Sequence, residues 1–253
     1  MLPLAKYTLL ESLRDKIYLG FLAVLVGLCL LLAIVGSTPW GLENYVIERL
    51  IWMATDIMLG IEIAIYSVYN IYRERDRRIL YSHLTLPLGR TGYLLGKVTG
   101  LAVTIFVLAA AGALIALVSD RLLSHLHSFR WTLFWMIPSV VMKSVVVLSF
   151  GVLLSQIATS SLTASLFTLG VYFIGNGADE FLRLAGNLQG AFRQVVTGVY
   201  YVVPNLQLLD LQHAAIYGGD LGIARLGSAL AYMASYTAAA LVFACLLFDR
   251  KDL

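Results

Sequence analysis

Long uninterrupted apolar runs are the feature that most limits how this 253-residue chain can fold. The apolar core of a bilayer is about 30 Å thick, and a helix crosses it with about 20 apolar residues. Several runs in the sequence approach this length. Only 13% of the residues are charged, about half the proportion in a soluble domain, and 60% are hydrophobic. These features exclude a soluble enzyme, a disordered tail and a small secreted domain. They predict an all-α integral membrane protein.

The apolar runs also predict the number of membrane spans and their orientation. An even number of spans places both termini on the same side of the membrane. Basic residues concentrate in the loop that follows the second run, and such loops face the cytoplasm. We therefore expect one transmembrane domain over residues 1–253, in the cell inner (plasma) membrane, with cytoplasmic N- and C-termini. The six predicted spans are residues 17–36, 50–72, 98–118, 131–157, 162–177 and 226–248.

Two further segments have the pattern of amphipathic helices. Residues 178–203 repeat apolar side chains at helical spacing, with Asp179, Glu180 and Arg183 mostly on the other face. This pattern predicts a single interfacial helix on the outer side, between the fifth and sixth spans. Residues 4–16, before the first span, mix apolar and charged side chains in a way that predicts a helix on the inner face.

The loop between the second and third spans has the most distinctive sequence. Its first six residues, 73–78, are all charged, and apolar residues then recur at near-helical spacing. Pro87 disfavours helix at the residue before it. The loop therefore predicts a short amphipathic helix at about 74–87. One interpretation is a basic anchor that only fixes topology; the other is a docking surface for a soluble partner, because an exposed apolar stripe needs to be covered.

Four segments resemble permease subunits of ABC transporters of the type-2 exporter class, and the nearest group is the multicopper-enzyme-maturation permeases. The first segment is the loop just described, which continues into Tyr93-Leu94-Leu95-Gly96-Lys97 and Gly100. The likeness runs from one end of the chain to the other. The other three segments are Glu11-Ser12-Leu13-Arg14, Val203-Pro204-Asn205-Leu206 with Ala215-Ile216-Tyr217-Gly218, and Phe248-Asp249-Arg250-Lys251-Asp252-Leu253.

The resemblance implies a function for the loop helix. In this class it is a coupling helix that sits in a cleft of a separate ATPase subunit. The chain is then expected to work with two ATPase copies and with a second permease copy or a homologous permease, and to couple ATP hydrolysis to export across the bilayer. The residues expected to form the ATPase contact are Glu74, Asp76, Arg78, Ile79, Leu80, Leu84, Pro87 and Arg90.

The chain itself has no ATP-binding motif. The stretch from Gly92 to Val98 superficially resembles a phosphate-binding loop, but its glycines are one residue too close, and Val98 stands where Ser or Thr would hold magnesium. We expect no enzyme activity and no cofactor in this chain, with ATP and magnesium bound by the partner. The sequence contains no basic block interleaved with aromatic residues, so it does not indicate nucleic-acid binding.

Charged residues inside the predicted spans are the remaining candidates. Asp56, Glu62 and Lys143 lie where a charge is costly, and Glu62 and Lys143 are near the middle of their spans. Three interpretations follow: a structural ion pair between Glu62 and Lys143, protonated carboxyl groups that face a crevice, or a substrate or ion pathway. Asp56 and Glu62 are about 240° apart around their helix, so they do not share a face. The alternative functions are an ion-coupled secondary transporter that uses these three residues, and a non-transporting membrane scaffold.

Two histidines after the third span are also candidate metal ligands. His125 and His127 would point the same way in an extended segment and would suit copper or zinc. Two ligands without a third make a poor site, so solvated loop histidines are the favoured interpretation.

Overall fold

The computed structural model describes residues 2–36, 44–76, 90–123, 132–187, 190–211 and 223–249. Within these ranges the chain is almost entirely helical, which confirms the all-α prediction. The helices are α1 (Leu2–Leu13), α2 (Lys16–Gly36), α3 (Asn44–Asp76), α4 (Arg90–Leu123), α5 (Thr132–Ile157), α6 (Ser161–Asn176), α7 (Ala178–Asn187), α8 (Ala191–Val202) and α9 (Ile223–Asp249), with a 3-10 turn at Leu206–Leu209.

Six of these helices correspond to the six predicted spans, namely α2, α3, α4, α5, α6 and α9. Three segments of the described ranges are long and apolar enough to cross a membrane by length and composition. They are Thr91–Gly112, Ile137–Ile157 and Ala224–Asp249, and Tyr18–Leu28 is a shorter apolar helix. These helices support a polytopic membrane protein, while the count of six and the side on which the termini lie stay predictions.

The core lies where α3, α4 and α5 pack together. The helix α2 covers α3 and α4, α6 lies on α3 and α5, and α9 lies on α5. Only 11% of the apolar window in α9 is buried. Its outward face carries large apolar side chains such as Val242 and Phe243, which is the surface expected of a helix that faces lipid.

Local sequence signals explain several helix boundaries. Ser160 begins α6 as a capping residue, since its hydroxyl accepts a hydrogen bond from the backbone N–H of Thr163 at 3.2 Å. Asn205 caps the 3-10 turn in the same way, with its side-chain oxygen accepting from the backbone N–H of Gln207 at 3.0 Å. The predicted helix before the first span is present as α1, and it packs against α4.

The single outer helix expected at 178–203 is wrong, because the structure contains two helices, α7 and α8. Gly190 precedes α8 with a φ of 73°. A right-handed helix requires negative φ, so this residue cannot continue one, and glycine adopts the conformation without steric cost. A periodic apolar pattern does not reveal such a break.

The segment that follows α8 turns into the bundle and packs between α5, α6 and α9. Leu206 and Leu209 are completely buried. Gly175 of α6 allows this approach, because a Cβ built on it would lie 2.7 Å from the carbonyl oxygen of Pro204 and 2.8 Å from Cγ of Leu206.

We expect Gly175→Ala to destabilise the protein by about 1–3 kcal/mol, the usual cost of overpacking a core. Gly170→Ala is the matched control on the same helix, since a Cβ there meets nothing within 4 Å. Thermal unfolding in detergent should show a lower midpoint for Gly175→Ala only. Equal midpoints for the two variants would contradict the close packing at Gly175.

Candidate functional site

A buried ion pair joins α3 and α4, the two helices on either side of residues 77–89. Glu74, near the end of α3, binds Lys97 in the second turn of α4, and the hydroxyl of Tyr93 donates to the same carboxylate. The side chains of Glu74 and Lys97 are 2% and 1% exposed. Charge-assisted hydrogen bonds of this kind have the highest strength and fix geometry best when water is excluded.

A second ion-pair cluster joins the same end of α3 to the N-terminal segment. The guanidinium of Arg73 contacts Glu11 of α1 through one nitrogen and Asp15, which precedes α2, through another. It also lies 5.4 Å from the centre of the Tyr69 ring. Burial alone would lower the pKa of Arg73, but the two carboxylates raise it above its ordinary value. The cation is therefore firmly held.

These contacts correct the predicted role of Glu74. The loop helix was expected to begin at this residue and to expose it to a partner, but α3 continues without interruption through Asp76. Glu74 is buried and occupied by Lys97 and Tyr93, so it is not available for docking. Asp76 and Arg90 lie at the end of α3 and at the start of α4. The other predicted contact residues, Arg78, Ile79, Leu80, Leu84 and Pro87, lie outside the described residues.

A third cluster surrounds Lys143 of α5. Its ammonium group binds one carboxylate oxygen of Asp56 in α3 and one of Asp210 after the 3-10 turn, each at 3.0 Å. The hydroxyl of Tyr172 in α6 donates to the backbone carbonyl of Asp56 at 3.1 Å. The cluster therefore joins α3, α5, α6 and the inward-turning segment.

The expected pair of Glu62 with Lys143 is wrong, because Lys143 is occupied by Asp56 and Asp210. Glu62 lies beside a small cavity on another side of α3, which agrees with the prediction that Asp56 and Glu62 face different directions. In the described part of the chain, its Oε1 has no hydrogen-bond partner. The partner Asp210 was missed because its segment was assigned to the outer surface.

No group of three or more metal-ligating side chains occurs within the described ranges. His125 and His127 fall outside them, so their solvated state stays a prediction.

The comparison with protein families now adds an independent finding. A family model described as "ABC-2 family transporter protein" matches residues 2–253. The chain belongs to the ABC-2 transporter family. This ABC-2 protein is therefore a membrane permease component of an ABC transporter, and members of the family normally work with an ABC ATPase partner. A comparison with curated proteins finds no match. The resemblance to multicopper-enzyme-maturation permeases stays a prediction.

Proposed function

We propose that this chain is the permease subunit of an ATP-driven exporter. A partner ATPase binds at residues 77–89, which we call the docking segment. The complex contains two ATPase copies and two permeases, either identical or homologous, in the cell inner membrane. Both termini and the docking segment face the cytoplasm. ATP binding draws the docking segments together and switches the pathway between the permeases.

The contact of Glu74 with Lys97 and Tyr93 carries this proposal. It ties α3 to α4 at the point where both helices leave the docking segment. A force applied to residues 77–89 therefore acts on two predicted membrane helices together instead of bending one loop. A buried, hydrogen-bonded ion pair transmits such a force, since separating it leaves a charge without a partner in a dry environment.

The Arg73 cluster extends the connection to the N-terminal segment. Because Glu11 and Asp15 both hold Arg73, displacement of the end of α3 also displaces α1 and the start of α2. The helix α1 packs against α4, so the four helices form one connected unit at this end of the bundle.

In this proposal the partner subunit hydrolyses ATP. ATP and magnesium bind to the ATPase, and this chain converts the resulting motion into access across the bilayer. The stretch Gly92–Val98 supports that division, because it lies within α4 instead of following a strand, as a phosphate-binding loop would.

The test is the assembly of the permease with its ATPase. Leu84→Asp and Ile79→Asp each place a charge on the apolar face predicted to be covered by the partner. We expect at least about 30-fold weaker binding, the loss typical of a central interface residue. Leu84→Met, which keeps the side chain apolar, is the matched control and should bind normally.

Co-purification of the two subunits measures this binding, and gel filtration of each variant confirms an intact membrane protein. A complex that survives both aspartate substitutions would contradict docking at 77–89. Purification of the permease without any ATPase, from cells that express both, would favour the ion-coupled alternative.

A further inference from the structure

Glu62 is a buried carboxyl group that the coupling proposal does not use. Its exposed fraction is 3%, and its Oε1 lacks a hydrogen-bond partner in the described part of the protein. Ser67, one and a half turns further along α3, is 2% exposed, and its hydroxyl likewise has no partner there. Two buried polar groups without partners are rare, because each has lost the hydrogen bonds that it would make with water.

Both groups border one cavity of about 20 Å³ between α2, α3, α4 and α5. This volume is enough for the centre of one water molecule, which needs at least about 10–15 Å³. The polar lining also includes Tyr18 of α2, Tyr66 of α3 and Thr104 of α4. A water molecule here has the two to four polar neighbours that buried water requires.

The charges around the cavity favour a neutral Glu62. The titratable groups that line it besides Glu62 are the phenols of Tyr18 and Tyr66, which are uncharged at neutral pH. The described residues of α4 and α5 contribute Thr104 and apolar side chains such as Leu148. No cation among the described residues lines the cavity.

The lysines of α4 and α5 and the helix α6 interact with other groups and not with Glu62. Lys143 is bound to Asp56 and Asp210, and Lys97 to Glu74. The helix α6, which also packs on α3, directs its Tyr172 hydroxyl to Asp56. An ionised carboxylate in the cavity would have no counter-charge among the described residues, and burying an unpaired charge is strongly unfavourable.

We propose that Glu62 and its cavity form a binding site for one proton and one water molecule. Proton transfer from hydronium to the carboxylate yields the neutral carboxyl group and the water that remains beside it. The water joins Glu62 Oε1 to the hydroxyl of Ser67 and supplies the missing hydrogen bonds of both. This site is independent of the ATPase partner and does not rest on the coupling proposal.

Infrared spectroscopy of the full-length protein in lipid nanodiscs at neutral pH tests this proposal. We expect a carboxylic-acid carbonyl band that shifts in D₂O and disappears in Glu62→Gln. Glu180→Gln is the matched control, because Glu180 is 66% exposed and paired with Arg183 at 3.0 Å, and the acid band should remain in this variant. A spectrum of Glu62→Gln that keeps the acid band would overturn the proposal.

A second variant tests the water. Ser67→Ala keeps Glu62 but removes one hydrogen-bond partner of the water, so the Glu62 acid band should shift in frequency. An unchanged band would overturn the bridging water. Titration with sodium or potassium chloride at constant pH should leave the band in place. Its loss on adding either salt would show a metal-cation site instead of a proton site.

Discussion

Lys143→Met should destabilise the protein by about 3–5 kcal/mol, the usual consequence of removing one partner from a buried ion pair. Methionine preserves most of the side-chain volume but removes the ammonium group. Asp56 and Asp210 would then face each other without the cation that both now bind at 3.0 Å. Thermal unfolding in detergent, measured through the intrinsic tyrosine and tryptophan fluorescence, reports the loss.

Single carboxylate substitutions are the controls for this prediction. Asp56→Asn leaves Lys143 paired with Asp210, so its loss should be smaller than that of Lys143→Met. Combining Asp56→Asn with Lys143→Met removes one of the two stranded charges and should recover part of the stability. If Lys143→Met unfolds no earlier than Asp56→Asn, the cluster does not hold the inward-turning segment to the bundle.

Lys97→Met should have a loss of similar size, about 3–5 kcal/mol, because it leaves the carboxylate of Glu74 buried and without its cation. The pair is 1% and 2% exposed, so water does not compensate the charge. Arg183→Met is the matched control, since Arg183 pairs with Glu180 at the surface with 76% and 66% exposure. An exposed pair contributes about 0–1 kcal/mol.

A double-mutant cycle separates the ion pair from general packing damage. Glu74→Gln in the Lys97→Met background removes the stranded charge and should restore part of the unfolding midpoint. Strictly additive losses would contradict a direct interaction between the two side chains. We also expect both single variants to bind the ATPase, because neither residue lies at the docking surface.

Helix positions could be predicted well from the sequence because the thickness of the bilayer sets the length of an apolar run. The fourth span, expected at 131–157, is α5 at Thr132–Ile157, and the fifth, expected at 162–177, is α6 at Ser161–Asn176. The helix α3 extends beyond both ends of its apolar run, since the polar residues around that run are also helical.

The partners of the charged residues were harder to predict from the sequence. The charged run at 73–78 is predicted to belong to the cytoplasmic loop and its docking helix, yet Arg73 and Glu74 bind partners that are distant in sequence, Asp15 and Lys97. The sequence suggests Glu62 as a partner of Lys143, because both are near the middle of their spans. Its true partners depend on how α3 and α5 are aligned in depth and on the inward turn before Asp210, and apolar periodicity specifies neither.

The central claim is that motion of the ATPase reaches the membrane through α3 and α4, the two helices on either side of residues 77–89. A cysteine introduced at Val107, which is 37% exposed on α4, would carry an environment-sensitive fluorophore.

The decisive measurement is the fluorescence of that Val107 label in the assembled permease–ATPase complex, recorded before and after addition of a non-hydrolysable ATP analogue. Val107 lies far along α4 from the docking segment, so the label reports motion of the helix and not contact with the partner. We expect a nucleotide-dependent change in fluorescence that is present in the otherwise unaltered complex, smaller in Glu74→Gln, and absent when the Leu84→Asp permease is mixed with the ATPase. A label that does not respond to nucleotide, in a complex that still hydrolyses ATP, would contradict the account.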